Sequence, residues 1–505
     1  SASFVRANSR SCSRRTERMR RGFRSIRAES ERRSSSSAGT AALPCPARRS
    51  SADSTASGAR SRRPLRRTAA GYRLDINGLV TRGISSAGDI AICLSGDSAI
   101  GEDGIHAGSG SLLLFGTGRL SVVGKDVCGI SAHDNLSICG PSITVSGFDV
   151  AVEAAFGDLL ISGSAITLQE FVRSALYADY QANVLGSVVT MASSLEGACG
   201  IDADTVVVDG SIVSAVTHGA CLSACQGLAF SHSYITAART ANCSEDDTYY
   251  SLAAIEAYGI LLDSPAYISF DSCCARIWSH RQCLNAPIVE FGKGSYRIGS
   301  RQGGGEHAVM DIVYETDARC AIEAPDQCVI DGGDVKICSP GGIGIRGYGN
   351  EENVIVRSGR LESVASLNVK TDLAFDMAVA ALYVVGLGVD VRVANSLTST
   401  FCSTALVGAY NSGRLMDLKG AAYCAISGGW YYMSYKQTGG TVIVDGATYG
   451  LCADKAVITG GSFHGSIRSI DDSRATVPVV NGSDVALSCI PYVATEIGKD
   501  ILSFV

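Results

Sequence analysis

The chain has 505 residues, 57 of them glycine, with a hydrophobic share of 46%, a charged share of 18% and a formal net charge of −6. That hydrophobic share excludes a wholly disordered chain. The longest apolar run, 377–389, is 13 residues and holds two glycines, short of the ~18 residues that mark a membrane-spanning helix.

The net charge hides two opposite parts. Residues 1–70 hold 18 Arg, no Lys and four acids, a net of +14, whereas residues 71–505 hold 25 basic and 45 acidic groups, a net of −20. Ser, Arg and Ala dominate the first segment, which has almost nothing to bury and reads as a disordered basic tail. Three origins fit it: a solvated linker, a basic arm for an anionic partner, or translation upstream of or out of frame with the true start. Arg, Ser, Ala and Pro without Lys is what GC-rich DNA yields. Clustered Arg neutralises phosphates, but the tail lacks the aromatic interleaving of single-strand binders, which speaks against a nucleic-acid partner. The tail contains no apolar h-region, so no export signal is visible in it.

Residues 71–124 read as a leading cap with the first coils, ending in an apolar run at 112–124. A repeat then takes over. Five segments, 136–144, 159–167, 183–190, 206–213 and 228–236, align about a corner held by Gly140, Gly163, Gly186, Gly210 and His232, spaced 23, 23, 24 and 22. A second short strand lies between them, at 128–130, 150–152, 175–177, 199–201 and 220–222. A unit this small cannot bury its apolar face alone, but stacked units make one continuous core with strands paired in parallel. Helical periodicity and βαβ alternation are absent. At about 3.3 Å per residue, such a repeat supplies three short sides plus corners. The expectation is an all-β parallel β-helix, a single-stranded solenoid of about 23 residues per rung over 125–480. The pattern weakens after 238, where a polar insertion near 238–256 includes Glu245, Asp246 and Asp247. It resumes in degenerate form at 329–337, 354–359, 442–446 and 457–461. Residues 481–505 lose the glycine pattern and read as a C-terminal cap, which a solenoid needs over its last open rung.

Chemistry is sparser. Of 19 cysteines, none forms a CxxC pair, so neither a zinc site nor a disulfide framework is indicated. Cys128, Cys139, Cys199 and Cys221 fall where neighbouring rungs carry small apolar residues and are expected to be inward-facing core thiols. Trp430, Tyr431, Tyr432 and Tyr435 form an aromatic cluster that reads either as a stacking platform for sugar rings or as core. Asp103 and the Glu245–Asp246–Asp247 run are candidate calcium ligands, because Ca²⁺ takes six to eight oxygens; a solvated loop is the plainer reading for the run, as it is for Asp471 and Asp472. The seven histidines show no paired metal-binding spacing. His232 reads as a turn residue. Gly303–Glu306–His307 lacks the strand and Lys of a phosphate loop.

The rungs at 103–105, 112–124, 128–130, 136–140 and 143–147 resemble those of bacterial carbohydrate-binding-domain-containing β-helix proteins, whose Asp-Gly-Ile-Lys motif stands here once, as Asp103-Gly104-Ile105-His106. The resemblance covers about 100–236 well. It implies a right-handed parallel β-helix of the pectate-lyase-like kind, calcium between coils, an extracellular or cell-surface setting, and binding to acidic polysaccharide without established catalysis. A non-catalytic solenoid that binds polysaccharide or serves as an adhesin or spacer is the expected function. The alternative is a polysaccharide lyase or glycoside hydrolase using residues such as Asp331, Asp334 and Lys336. No basic cluster in one rung neighbourhood is legible from the sequence.

Overall fold

Why each rung stacks is written in the alternation of its strands. The computed structural model describes residues 66–68, 71–240, 253–258, 265–279, 282–300, 320–347 and 354–371, with short strands from there to 488; beyond residue 365 the description is of backbone pairing. Among the described residues there are 39 strands and no helix. Arg66–Thr68 and Gly71–Ile76 form an antiparallel hairpin. From Gly71–Ile76 onward the strands pair in parallel, each with its equivalent one rung away. The chain is a parallel β-solenoid with three strand columns.

Each column presents one buried ladder to the interior. On the first face Leu112, Leu136, Leu159, Ala182, Val206, Leu228, Ile268, Val289, Cys328 and Val354 are consecutive register partners, and all are buried. The second face does the same from Leu120 through Ile143, Ile166, Val189, Val213 and Ile235. On the third face Ile105, Ile130, Val152, Leu176, Ile201 and Leu222 align. Strands with period-two side chains can face one core only if rungs never slip by one residue. The aromatic rings follow the same rule: Phe230 stacks on Phe270 at 4.8 Å, and Phe270 on Phe291 at 5.6 Å with planes 3° apart.

The corner between the first two faces shows how the small residues work. Gly163, Gly186 and Gly210 have φ of 57°, 55° and 59°, and His232 takes the same turn at 48°. The residue after each corner is Ser164, Ser187, Ser211 or Ser233, all buried. Their hydroxyls donate to the carbonyls of Ser162, Leu185, Asp209 and Ser231 at 2.6–2.9 Å. They accept the N–H groups of Gly140, Ser164, Ser187 and Ser211 from the preceding rung at 2.9–3.2 Å. The Gly-Ser corner is thus a hydrogen-bonded column, which satisfies buried donors that no strand reaches.

Three sequence expectations need adjusting. The rungs persist where the pattern weakens, but Leu228 pairs with Ile268, Val289 with Cys328 and Leu382 with Tyr435, so these rungs are lengthened to 40, 39 and 53 residues. The insertion lies between Tyr234–Arg239 and Ala253–Ala257, and residues 241–252 are outside the described ones. On the third face, Val152 pairs with Leu176 and not with Tyr177, because an aliphatic side chain keeps the inward place and Tyr177 moves outward. The pairing also reaches segments read as tail and cap: Arg66–Thr68 is the hairpin strand, and Leu487–Ser488 pairs with Ser462–His464. Residues 1–65 and 489–505 lie outside the described residues.

A glycine test follows. A Cβ on Gly104, whose φ is 62°, would meet the Gly129 carbonyl oxygen at 2.4 Å, whereas Gly186 has nothing within 4 Å. Gly104→Ala is expected to cost more than about 1 kcal/mol, and Gly186→Asn far less, since Asn tolerates the left-handed region. Urea unfolding of the two variants measures this; equal losses would contradict it.

Candidate functional site

The corner between the third and first faces carries exposed aromatic side chains on successive rungs. Each rung leaves the third face at a buried alanine (Ala132, Ala154, Ala178, Ala203) and enters the first at Leu136, Leu159, Ala182 or Val206. The few residues between them are His133–Asp134–Asn135, Ala155–Phe156–Gly157–Asp158, Asp179–Tyr180–Gln181 and Asp204–Thr205. The corner is pinned rung to rung by Phe156 N–H donating to His133 O at 2.9 Å and Tyr180 N–H to Gly157 O at 3.4 Å. The Asn135 Oδ1 accepts from Asp158 N–H at 2.9 Å, and Asp158 Oδ1 from Gln181 N–H at 3.2 Å.

A bulge aims Tyr180. Ala178 pairs with Ala203 and Gln181 with Thr205, so Asp179 and Tyr180 stand opposite Asp204 alone. An extra residue in one strand bends it and re-aims a side chain, and Tyr180 is 56% exposed. Phe156, one rung earlier, is 61% exposed and lies 4.8 Å from the His133 ring at 42°. Three rungs beyond Tyr180 in register, Tyr258 follows Ala257 and is 51% exposed. Exposed rings on adjacent rungs, with carboxylates Asp134, Asp158, Asp179 and Asp204 among them, form an edge with apolar faces and hydrogen-bond acceptors side by side. Aromatic rings of this kind combine a large contact area with a fixed geometry. The sequence signal was present: His133, Phe156 and Tyr180 are spaced 23 and 24, the period of the repeat.

The outward side of the third face holds a polar ladder. Ser131, Glu153, Tyr177, Asp202, Ser223, Glu256, Asn285, Glu323 and Arg346 are successive register partners. The carboxylates fall on alternate rungs as far as Glu323, which keeps like charges from facing one another directly. Thiols line the same face. Cys128 Sγ donates to Glu153 Oε2 at 2.9 Å and Cys320 Sγ to Glu323 Oε2 at 3.6 Å. Burial first, and the carboxylate neighbours second, push the Cys128 thiol well above its ordinary range. Burial likewise raises Cys199, with Asp202 and Glu256 adding to it, and lifts Cys221 to about 11. Asp202 is raised by burial against the opposing charge of Arg173. Cys139 departs from the expectation: in Leu136–Cys139 the leucine and Ile138 point inward, so Cys139 faces outward and is half-buried.

The second face holds a charged column that the lengthened rungs conceal in the sequence. Arg276, Arg297, Lys336 and Glu362 are successive partners. Lys336 Nζ lies 3.2 Å from Glu362 Oε2, Arg360 pairs with Glu362 Oε1, and Lys336 and Glu362 are buried. Asp334 shares the strand with Lys336, and Asp331 accepts the Ser358 hydroxyl at 2.9 Å. Basic and acidic groups therefore do converge on neighbouring rungs, but the closest acid and base, Lys336 and Glu362, are buried and engaged with each other.

The remaining sequence candidates are placed as follows. Trp430, Tyr431, Tyr432, Glu245, Asp246 and Asp247 lie outside the described residues. Tyr435 falls in Ser434–Gln437, in register with Leu382. Asp103 is exposed and 3.4 Å from Arg82, a neighbour that competes with a cation. Among the described residues, no group of three or more His, Cys, Asp or Glu is arranged to hold a metal ion.

Fold and edge together define a parallel β-solenoid with an aromatic corner row. Comparison with protein-family models, with curated proteins and with solved structures finds no match.

Two outcomes are expected for the thiols. Native Cys221 should resist a thiol-labelling reagent, half-buried Cys199 should react more slowly than exposed Cys274, and Cys274 should react first; rapid native labelling of Cys221 would contradict its core place. Burial raises the Cys221 thiol from its ordinary value of 9.0 to about 11 in the fold. Its protonated form is favoured by the fold, so that stability is intact below pH 9 and is lost as pH rises toward 11, where the unfolded chain holds fewer protons. Chemical denaturation at pH 8 and pH 10 should show a smaller unfolding free energy at the higher pH, and Cys221→Ala should reduce the difference by its own share, the other raised thiols keeping theirs.

Proposed function

We propose that this chain is an extracellular or cell-surface solenoid that binds polysaccharide along its third-to-first corner and acts as an adhesin or spacer. The observation that carries the reading is the row of exposed rings, His133, Phe156 and Tyr180, on three successive rungs. An exposed aromatic patch on a folded surface marks an interaction site more often than a scattered single residue does. A row that repeats with the rungs suits a ligand that is itself a repeating chain. The resemblance of residues 100–236 to carbohydrate-binding β-helix rungs supports the same reading, and so does the hydrogen-bonding capacity of the neighbouring carboxylates. A lyase or hydrolase built on Asp334 and Lys336 has less support, because Lys336 is buried and engaged with Glu362.

The test is a glycan array with the full chain, followed by titration calorimetry on the best ligand. Phe156→Ala and Tyr180→Ala are each expected to weaken binding by about 1.4 kcal/mol, roughly tenfold, with unchanged melting temperature, since both side chains are exposed. Ile212→Ala, on the exposed second face, should leave affinity unaltered. New reducing ends released from a bound glycan would instead favour the enzymatic alternative. Undiminished binding by both aromatic variants would remove this edge from the function.

A further inference from the structure

The charge along the aromatic edge selects among polysaccharides, and here the argument rests on the polysaccharide-binding reading of that edge. The residues between the third and first faces on four successive rungs contribute Asp134, Asp158, Asp179 and Asp204, and contribute no Lys or Arg. Neighbouring rungs stand about 4.7–4.9 Å apart. Asp134 has His133 Nδ1 at 2.9 Å. Asp158 accepts a backbone N–H, and Asp204 Oδ2 accepts from Gln226 Nε2 at 3.3 Å. Among the described residues, none of the four makes an ion pair with Lys or Arg. An ionised carboxylate offers about four acceptor sites on two oxygens, so these contacts leave acceptor capacity along the row. Described cations stand elsewhere: Arg173 immediately precedes the third-face strand, at the end away from this corner, and Arg276, Arg297 and Lys336 stand on the second face.

A chain of uronic acids laid on these rings would bring its carboxylates against a file of carboxylates. Two like charges 4 Å apart repel by about 1 kcal/mol in water and about 4 kcal/mol at the effective dielectric of a protein surface. Amines reverse that sign, and an ammonium group on every sugar donates three hydrogen bonds of the charge-assisted kind. We infer that this edge takes a hexosamine polymer with free amino groups: the rings carry the sugar faces and Asp134, Asp158, Asp179 and Asp204 carry the ammonium groups. This is the opposite charge class from the acidic polysaccharide that the sequence resemblance implies. The rings make the site, and the acids choose the ligand.

The experiment compares binding of the full chain to immobilised chitosan, to chitin and to polygalacturonate, at low and at high salt. Tightest binding to chitosan, weakened by salt because surface charge pairs are screened, with chitin weaker and polygalacturonate not bound, is expected. Asp158→Asn, which keeps the oxygen that accepts from Gln181, and Asp204→Asn should each lower the chitosan-to-chitin preference while chitin binding stays. Phe156→Ala should weaken both. Glu170→Gln removes the same charge from a different corner and should leave the preference unaltered, which separates this edge from the general acidity of residues 71–505. Polygalacturonate bound as well as chitosan, or a preference unmoved by the two aspartate variants or equally moved by Glu170→Gln, would overturn the inference and leave the polysaccharide reading standing. Binding to none of the three would overturn both.

Discussion

Everything in this molecule depends on residue-for-residue register between one rung and the next. A parallel ladder bonds each strand to its equivalent above and below, and the interior column Leu112–Leu136–Leu159–Ala182–Val206–Leu228 closes only when that register is kept. A slip of one residue would turn an entire strand's apolar side outward. The serine column at the Gly corner adds a second restraint, because Ser164, Ser187 and Ser211 each both give and receive a bond with an adjacent rung. Stability is then a sum of nearest-neighbour interfaces, and the chain between interfaces is left to vary.

That freedom explains where function is placed. Inward positions are held to apolar side chains, mostly Ile, Leu, Val and Ala with the stacked Phe230, Phe270 and Phe291 and a few cysteines, whereas outward positions answer only to the residue one rung away. Long ladders of one chemistry follow: Thr144, Thr167 and Thr190 on the second face, alternate carboxylates on the third, and rings at the corner. The corners are the places where a residue can be added without breaking the register. The pair Asp179–Tyr180 is such an addition, and it converts a spacing element into a projecting ring.

The legibility of the sequence tracks the same division. The corner spacing of Gly163, Gly186, Gly210 and His232 revealed the solenoid, since a left-handed turn is a local property and all four residues adopt it. Register beyond 238 was concealed because insertions lengthen rungs without disturbing the strands on either side: Leu228 and Ile268 are neighbours in space and 40 residues apart in the chain. The convergence of Arg276, Arg297, Lys336 and Glu362 was hidden for that reason, and with it the burial of Lys336. The one-residue error at Tyr177 arose where small and aromatic residues adjoin, so that the inward place was ambiguous until Leu176 was set against Val152. Cys139 was read as core from its neighbours' size, although alternation from Ile138 already sent it outward. The aromatic row was readable in principle, and needed the repeat period to be applied to corner residues as well as to the strands.

The buried charges on the second face show why a convergence of acid and base is not enough to mark a reaction centre. Removing Lys336 and Glu362 from water carries a desolvation cost that their mutual attraction offsets only with good geometry. Here Glu362 is met on both oxygens, by Lys336 and by Arg360, which is the arrangement that tolerates burial. A group so engaged has little to offer a substrate. The corner carboxylates are the reverse case: half-buried, without Lys or Arg partners among the described residues, and set beside the exposed rings of Phe156 and Tyr180. Burial joins the first set to the solenoid's own stability, and partial exposure leaves the second set available to a ligand, so the two kinds of polar ladder in one fold have separate work to do.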